Sequence, residues 1–336
     1  MIYTNLGRTG CKVSRLCLGT MNFGERASET DSHPILSRGL ELGLNFWDTA
    51  DRYGGAGHAG RTEEILGRWF AANPGQREQV ILATKYHGQM GPGINDRGAS
   101  AVYIRKACEA SLKRMQTDYI DLYQMHHVNR DTPWEEIYQA IDVLIQQGKV
   151  IYAGVSNHAG WQIARACEVA NRTNRLGIVC EQSKYSLACR YVELEVLPAC
   201  RQYGVGVIPW SPLDGGLLGG VLSGEKGMRR ESEGNRKKID ARREQLKKWE
   251  GFCKELGEKP ADVALAWVLH VDGITAPIIG PRTMDQLNQS LRALEIKLSP
   301  EAMKTLDQIW PPVGVPEMQA QLDKPYRLDA PEAYAW

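Results

Sequence analysis

The chain has 336 residues, 43% hydrophobic and 24% charged, a globular composition long enough for one large barrel or two ordinary domains. Its 41 Lys and Arg stand against 40 Asp and Glu, so no excess field is available to hold nucleic acid or an anionic membrane, and a small molecule is the expected partner. The eight cysteines form no C-x-x-C pair and no zinc-like spacing with histidine, so reduced thiols are expected.

Met1 leads into polar Thr4, Asn5 and Arg8 without a charged-then-apolar leader. No run approaches the ~18 to 20 apolar residues that span a bilayer, so a cytoplasmic protein is expected. Residues 2–6 and 12–14 flank a turn at Arg8-Thr9-Gly10, predicting a hairpin over residues 1–14 that plugs the bottom of a barrel.

Eight apolar or β-branched runs follow, at 15–18, 44–47, 80–83, 119–123, 150–153, 177–180, 205–208 and 276–279. Each reads as a buried parallel strand, and the segments between them have helical period. Gly43, Gly148 and Gly204 stand where glycines close helices. Thr132-Pro133-Trp134-Glu135 reads as a capping box with proline at the first helical position, Thr283 with Gln286 as a second, and Lys259-Pro260 opens another helix. With no Pro/Gly/Ser linker, eight β-then-α units predict one domain over 1–336, a (β/α)8 TIM barrel with a C-terminal tail over 311–336. Two irregular stretches remain, 88–100 and 214–240. The second, rich in Gly, Lys, Arg and Glu, is expected to be a mobile loop at the barrel's C-terminal face, unlikely to pack as core.

Chemistry in such barrels sits where strands end. Asp48 follows the second run with Tyr53 five residues on, Lys85 follows the third and His126 the fourth. Ser156 and Asn157 follow the fifth, Gln182 the sixth, Trp210 the seventh, and Gly280 to Arg282 the eighth. Each has a plainer reading: Asp48 as a turn cap, Tyr53 as a loop tyrosine, Lys85 as a solvent-facing charge, His126 as a core histidine. Together they are the types an acid–base relay requires. A free tyrosine, titrating near pH 10, is too weak an acid for fast proton donation. A lysine ammonium beside it is expected to pull that pKa down, an aspartate to hold the lysine charged, and a histidine to orient a carbonyl oxygen. No metal is expected: the histidines are scattered, and the adjacent His126 and His127 should point apart.

These residues carry a resemblance. Leu6-Gly7-Arg8-Thr9-Gly10, Leu18-Gly19-Thr20-Met21, Asn45 through Gly54, Ala83-Thr84-Lys85, Asp118 through His126, Gly154-Val155-Ser156-Asn157 and Trp210-Ser211-Pro212-Leu213 resemble segments of the aldo-keto reductase superfamily over essentially the whole chain. The resemblance implies a catalytic tetrad of Tyr53, Lys85, Asp48 and His126 and hydride delivery from NADPH to an aldehyde or ketone. It implies that Ser156, Asn157 and Gln182 hold the nicotinamide carboxamide, that Trp210 stacks on its ring, and that Ser211, Pro212, Leu213 and the loop with Gly215 cover the pyrophosphate. Cofactor contacts from Gly19, Thr20, Met21 and Asp48 are implied too. Gly280, Arg282, Gln286 and Ser290 would surround the adenosine end, Arg282 facing the 2′-phosphate. Where many relatives read an acid then Asn, this chain has Gln289 and Ser290, which weakens the expected adenine contacts. His126-His127, Trp134-Glu135-Glu136 and Asp214 through Leu218 look most like a bacterial branch that includes reductases of keto-deoxysugar nucleotides and that also resembles potassium-channel β-subunits. A nucleotide-binding sensory or channel-associated subunit with little turnover is therefore the alternative, as is imine reduction or alcohol oxidation by the same tetrad. Tyr326, Tyr334 and Trp336 are equally suited to wall a substrate pocket or to pack outside.

Overall fold

The computed structural model describes residues 1–223 and 233–314. Strands β1 (Tyr3–Asn5) and β2 (Lys12–Ser14) form the expected antiparallel hairpin. Eight parallel strands follow: β3 (Cys17–Gly19), β4 (Phe46–Asp48), β5 (Ile81–Tyr86), β6 (Ile120–Met125), β7 (Val150–Ser156), β8 (Ile178–Gln182), β9 (Gly206–Val207) and β10 (Ile278–Ile279). Order in the sheet follows order in the chain, with β10 returning to pair with β3. Two backbone bonds of 2.8 Å, Thr275 N to Val207 O and Ile278 N to Pro209 O, join the remaining edges. The result is a (β/α)8 barrel.

Because side chains alternate along a strand, residues two apart share a face. Phe46, Ala83, Leu122 and Cys180 point into the barrel and pack with Leu6 and Val13 of the hairpin, which is how the plug seals the bottom. Two residues further along the same strands stand Asp48, Lys85, Gln124 and Gln182. The interior therefore changes from apolar to polar in a single layer toward the C-terminal ends. Outward positions pack against helices: Trp47 lies 5.1 Å from Trp69 and 5.9 Å from Phe70, ring centre to ring centre.

Several expectations need correction. The first six barrel strands run farther toward their C-terminal ends than the apolar runs, the polar side chains that ended several of those runs bonding inside the barrel, whereas β9 stops at Val207, short of its run, and β10 ends level with its run at Ile279. Asp48, Ser156 and Gln182 are the last residues of β4, β7 and β8, and Lys85 lies within β5. No capping box forms at Thr132. The helix Trp134–Gln146 starts after Pro133 with no side-chain cap, and Asn129 Oδ1 instead accepts from the amides of Asp131 and Thr132. At the Thr283 cap, Thr283 Oγ1 accepts from Gln286 N as expected, but Gln286 Oε1 accepts from Arg282 N rather than from the cap amide. The stretch 214–240 is not all loop: Leu217 and Leu218 are buried, apolar enough to join the core, and Glu233–Ala241 is helical. Its residues 224–232, and 315–336 of the tail, lie outside the described residues. Among the described residues no helix is long and apolar enough to cross a membrane.

Candidate active site

The polar layer at the top of the barrel is a connected network. Lys85, fully buried, donates from Nζ to Asp48 Oδ1 at 2.9 Å and Oδ2 at 2.7 Å, to Thr49 O at 2.9 Å and to Tyr53 Oη at 3.2 Å. Asp48 Oδ1 also accepts from Gln182 Nε2 at 2.8 Å and Gln124 Nε2 at 3.3 Å. Strand register explains the convergence: Asp48 is level with Ala83, and Lys85 with Gln124. Tyr53 reaches back from the loop after β4, where Gly54 has φ of 136° and a side chain would run into His58 O and Arg61. The His126 ring stands edge-on to that of Tyr53 with 6.0 Å between centres.

The electrostatics differ from expectation in one respect. Burial raises the Tyr53 pKa, and although the Lys85 cation opposes this, the net shift is upward. The phenol is thus a protonated group across the neutral range. Burial works against the Lys85 ammonium, but Asp48 and Tyr53 outweigh it and hold the lysine above its ordinary range. His126 is driven well below its usual pKa by burial and then by Lys85, so its imidazole is neutral. Its Nδ1 is buried without a partner. His126 and His127 do not point apart: their rings stack 4.7 Å centre to centre, 2° from parallel, because both stand just beyond the end of β6, where strand alternation no longer applies.

A cavity of about 540 Å³ opens from this network across the barrel mouth. Gly19, Met21, Asp48, Tyr53, His126, Ser156, Asn157 and Gln182 line one part of it, with Trp210, Ser211, Pro212, Leu213 and Gly215 along one side. Gly280, Arg282, Gln286 and Ser290 stand at the far end. Asn157, at φ of 60°, is held in this unusual backbone state by Trp210 Nε1 donating to its Oδ1 at 3.0 Å and its own Nδ2 donating to His126 O at 3.2 Å. That clamp sets the Trp210 ring against the cavity. Two expected residues are absent from the wall. Thr20 is fully buried with its hydroxyl donating to Asp48 O at 2.9 Å, and Lys85 sits behind Asp48 and Tyr53.

Other lining residues were not legible as site residues. Asn22 and Arg26 come from the loop after β3, His127 from the stack, and Asp262 and Leu265 from the helix Pro260–His270, brought in by packing. Asp262 bonds to Gln289, the position noted as a departure from the family pattern. The doubled histidine was the one local signal among them.

Comparison with known proteins agrees with this architecture. The aldo/keto reductase family model matches residues 15–311. The chain is 49% identical to a Bacillus subtilis protein named uncharacterized oxidoreductase YrpG, with both chains fully covered. It is 32% identical to a probable voltage-gated potassium channel subunit beta of Oryza sativa, over 92% of this chain and 96% of the relative. It is also 30% identical to versiconal hemiacetal acetate reductase of Aspergillus parasiticus, over 94% and 98% respectively. Since the matched segment contains the whole network and every residue of the cavity wall, this chain belongs to the aldo/keto reductase family, a family of oxidoreductases.

Proposed function

We propose that the protein reduces an aldehyde or ketone to an alcohol with NADPH, reversibly, and that Tyr53 is the proton donor. The observation that carries this reading is the Lys85 ammonium bonded to both Asp48 oxygens and to the Tyr53 hydroxyl at the edge of the cavity. NADPH, when bound, supplies hydride to the carbonyl carbon. The donor set fits such a group: an indole clamped along one side, carboxamide partners in Ser156, Asn157 and Gln182, and at the far end the half-buried Arg282 guanidinium, which has no ion pair among the described residues.

The protein's own residues manage the proton. Lys85 donates to Tyr53 Oη, so the phenol hydrogen is left to point into the cavity. As the carbonyl oxygen gains the carbonyl π electrons it becomes strongly basic and takes that proton, and the ammonium 3.2 Å away stabilises the phenolate left behind. Neutral His126 can donate a hydrogen bond from its ring N–H to the same oxygen without adding a second positive charge. Asp48 keeps Lys85 charged and fixed. A cytoplasmic location and a small-molecule partner fit this activity.

The likeness to named channel subunits favours a second reading, a nucleotide-binding subunit that turns over little. Titration with NADPH and NADH, followed by quenching of tryptophan fluorescence, tests the cofactor, and a carbonyl panel separates the two readings. Tight NADPH binding with turnover is the expected result; binding without turnover on any carbonyl favours the subunit, and failure to bind either nucleotide removes both.

A further inference from the structure

Two cations that the reaction does not use stand near Tyr53: Arg26 in the cavity wall and Arg52 just outside it. The loop after β3 is fastened by Asn22, whose backbone oxygen accepts from the amides of Glu25, Arg26 and Ala27 at 3.3, 2.8 and 2.9 Å and whose side chain donates to Gly280 O at 2.8 Å. This holds Arg26 in the wall of the cavity shared by Tyr53 and His126. Its ion pair with Glu25 is long, 3.6 Å, and exposed, the kind that contributes little. The loop touches the one bearing Tyr53, since a Cβ on Gly55 would lie 3.2 Å from Glu25 Cγ.

Arg52 immediately precedes Tyr53. Its side chain lies across Gly88, where any Cβ would collide with it, and it has no hydrogen bond or ion pair with a described residue. Beside it, His127 links His126 to His87, with 5.9 Å between the His87 and His127 ring centres. The charges acting on the His126 and His127 rings are those of Lys85 and Arg52, with no carboxylate among them. Asp48 is paired with Lys85, and Asp51 is buried with its pKa pushed up to about 8. A guanidinium on each of two touching loops, around an otherwise neutral histidine wall, makes a positive rim around the proton donor.

We propose that Arg26 and Arg52 receive an anionic group on the substrate, so that the preferred carbonyl compounds carry a carboxylate or phosphate some bonds away from the reacting carbon. The proposal rests on the reductase reading of the same site. A guanidinium fork matches either anion; Arg26 stands in the cavity wall that Tyr53 shares, and Arg52 immediately precedes Tyr53 just outside that wall.

The test compares benzaldehyde with 4-carboxybenzaldehyde, with NADPH saturating, in the unaltered protein and in Arg26→Gln, Arg52→Gln and Arg52→Lys. The expected result is that the unaltered protein favours the carboxylated aldehyde by about tenfold or more in kcat/KM, the worth of one charge-assisted bond. Each glutamine variant should lower that ratio about tenfold, mainly through KM, with Arg52→Lys retaining part of it. Added salt should erode the preference in the unaltered protein. Benzaldehyde turnover in each variant reports that it is folded. A ratio near one, or a ratio the variants leave alone, overturns the proposal while the reductase reading stands. A weaker NADPH Kd in Arg26→Gln with an unchanged ratio overturns it too, assigning Arg26 to a cofactor phosphate. Absence of turnover on both aldehydes by the unaltered protein overturns the proposal, and only absence of turnover across the whole carbonyl panel overturns the reductase reading with it.

Discussion

The Lys85 ammonium is enclosed at zero exposure with both oxygens of Asp48 at 2.9 and 2.7 Å, and its remaining reach is toward Tyr53 Oη at 3.2 Å. A buried ion pair of this kind is fragile to loss of one partner, because the survivor keeps its charge without compensation. Lys85→Met should therefore destabilise the protein by about 3 to 5 kcal/mol and lower turnover by about a hundredfold or more. Adding Asp48→Asn should restore much of the stability and none of the turnover. Denaturant unfolding beside steady-state kinetics checks both halves; a double variant as unstable as the single one contradicts the pair.

Tyr53→Phe removes only the hydroxyl. Carbonyl reduction should fall by about 10²- to 10⁴-fold, the usual range for a lost general acid, while NADPH binding stays within about twofold. Fluorescence titration and single-turnover kinetics read the two quantities separately. Residual reduction above a tenth of the original would assign the proton to another group.

The directions of the pKa shifts fix a pH profile. Tyr53 is shifted up and His126 well down, so neither group changes charge near neutrality. The reduction rate constant should be flat from about pH 6 to 9, where an ordinary histidine would have introduced an inflection near 6.5. Oxidation of the alcohol needs the phenolate and should rise with pH instead. An inflection near 6.5 in kcat for reduction would identify a titrating histidine as the acid.

Asp51 offers a prediction about stability. It is fully buried, no side chain bonds to either carboxylate oxygen, and burial followed by Glu63 pushes its pKa up to about 8. In the unfolded chain it titrates near 3.9, so between the two values the folded state binds more protons. Its contribution is fully present below about pH 4 and is lost progressively as pH rises to about 8, by at most ~1.4 kcal/mol per unit. Glu181, also pushed up to about 8 by burial, adds in the same sense. Asp51→Asn should flatten the fall of Tm across this window; parallel profiles for the two proteins would show that Asp51 is not the titrating group.

At the far end of the cavity, Arg282→Gln should weaken NADPH binding by about tenfold or more and leave NADH binding nearly as it was, since only the former carries the 2′-phosphate. Comparison of the two Kd values decides it. Equal losses for both nucleotides would place Arg282 away from that phosphate.

Local order determined a good deal by itself. Eight apolar runs spaced by helical segments were enough to read the barrel, because a parallel strand buried on both faces has to be apolar and short whatever packs on it. Asp48, Tyr53, Lys85 and His126 were legible as strand-end residues because polar types interrupt those runs where the chain leaves the core. Tertiary structure alone decided how these groups affect one another. That Lys85 lies inside β5 and not beyond it follows from inward register with Asp48 and Gln124, and no neighbour in sequence reports register. The sign of the Tyr53 shift is a contest between burial and a cation 32 positions away, settled by how deeply the folded barrel encloses the phenol. Thr20 turning inward, the stacking of His126 on His127, and the arrival of Arg26 and Asp262 around one cavity are likewise consequences of packing across the barrel mouth, where contacts join residues far apart in the chain.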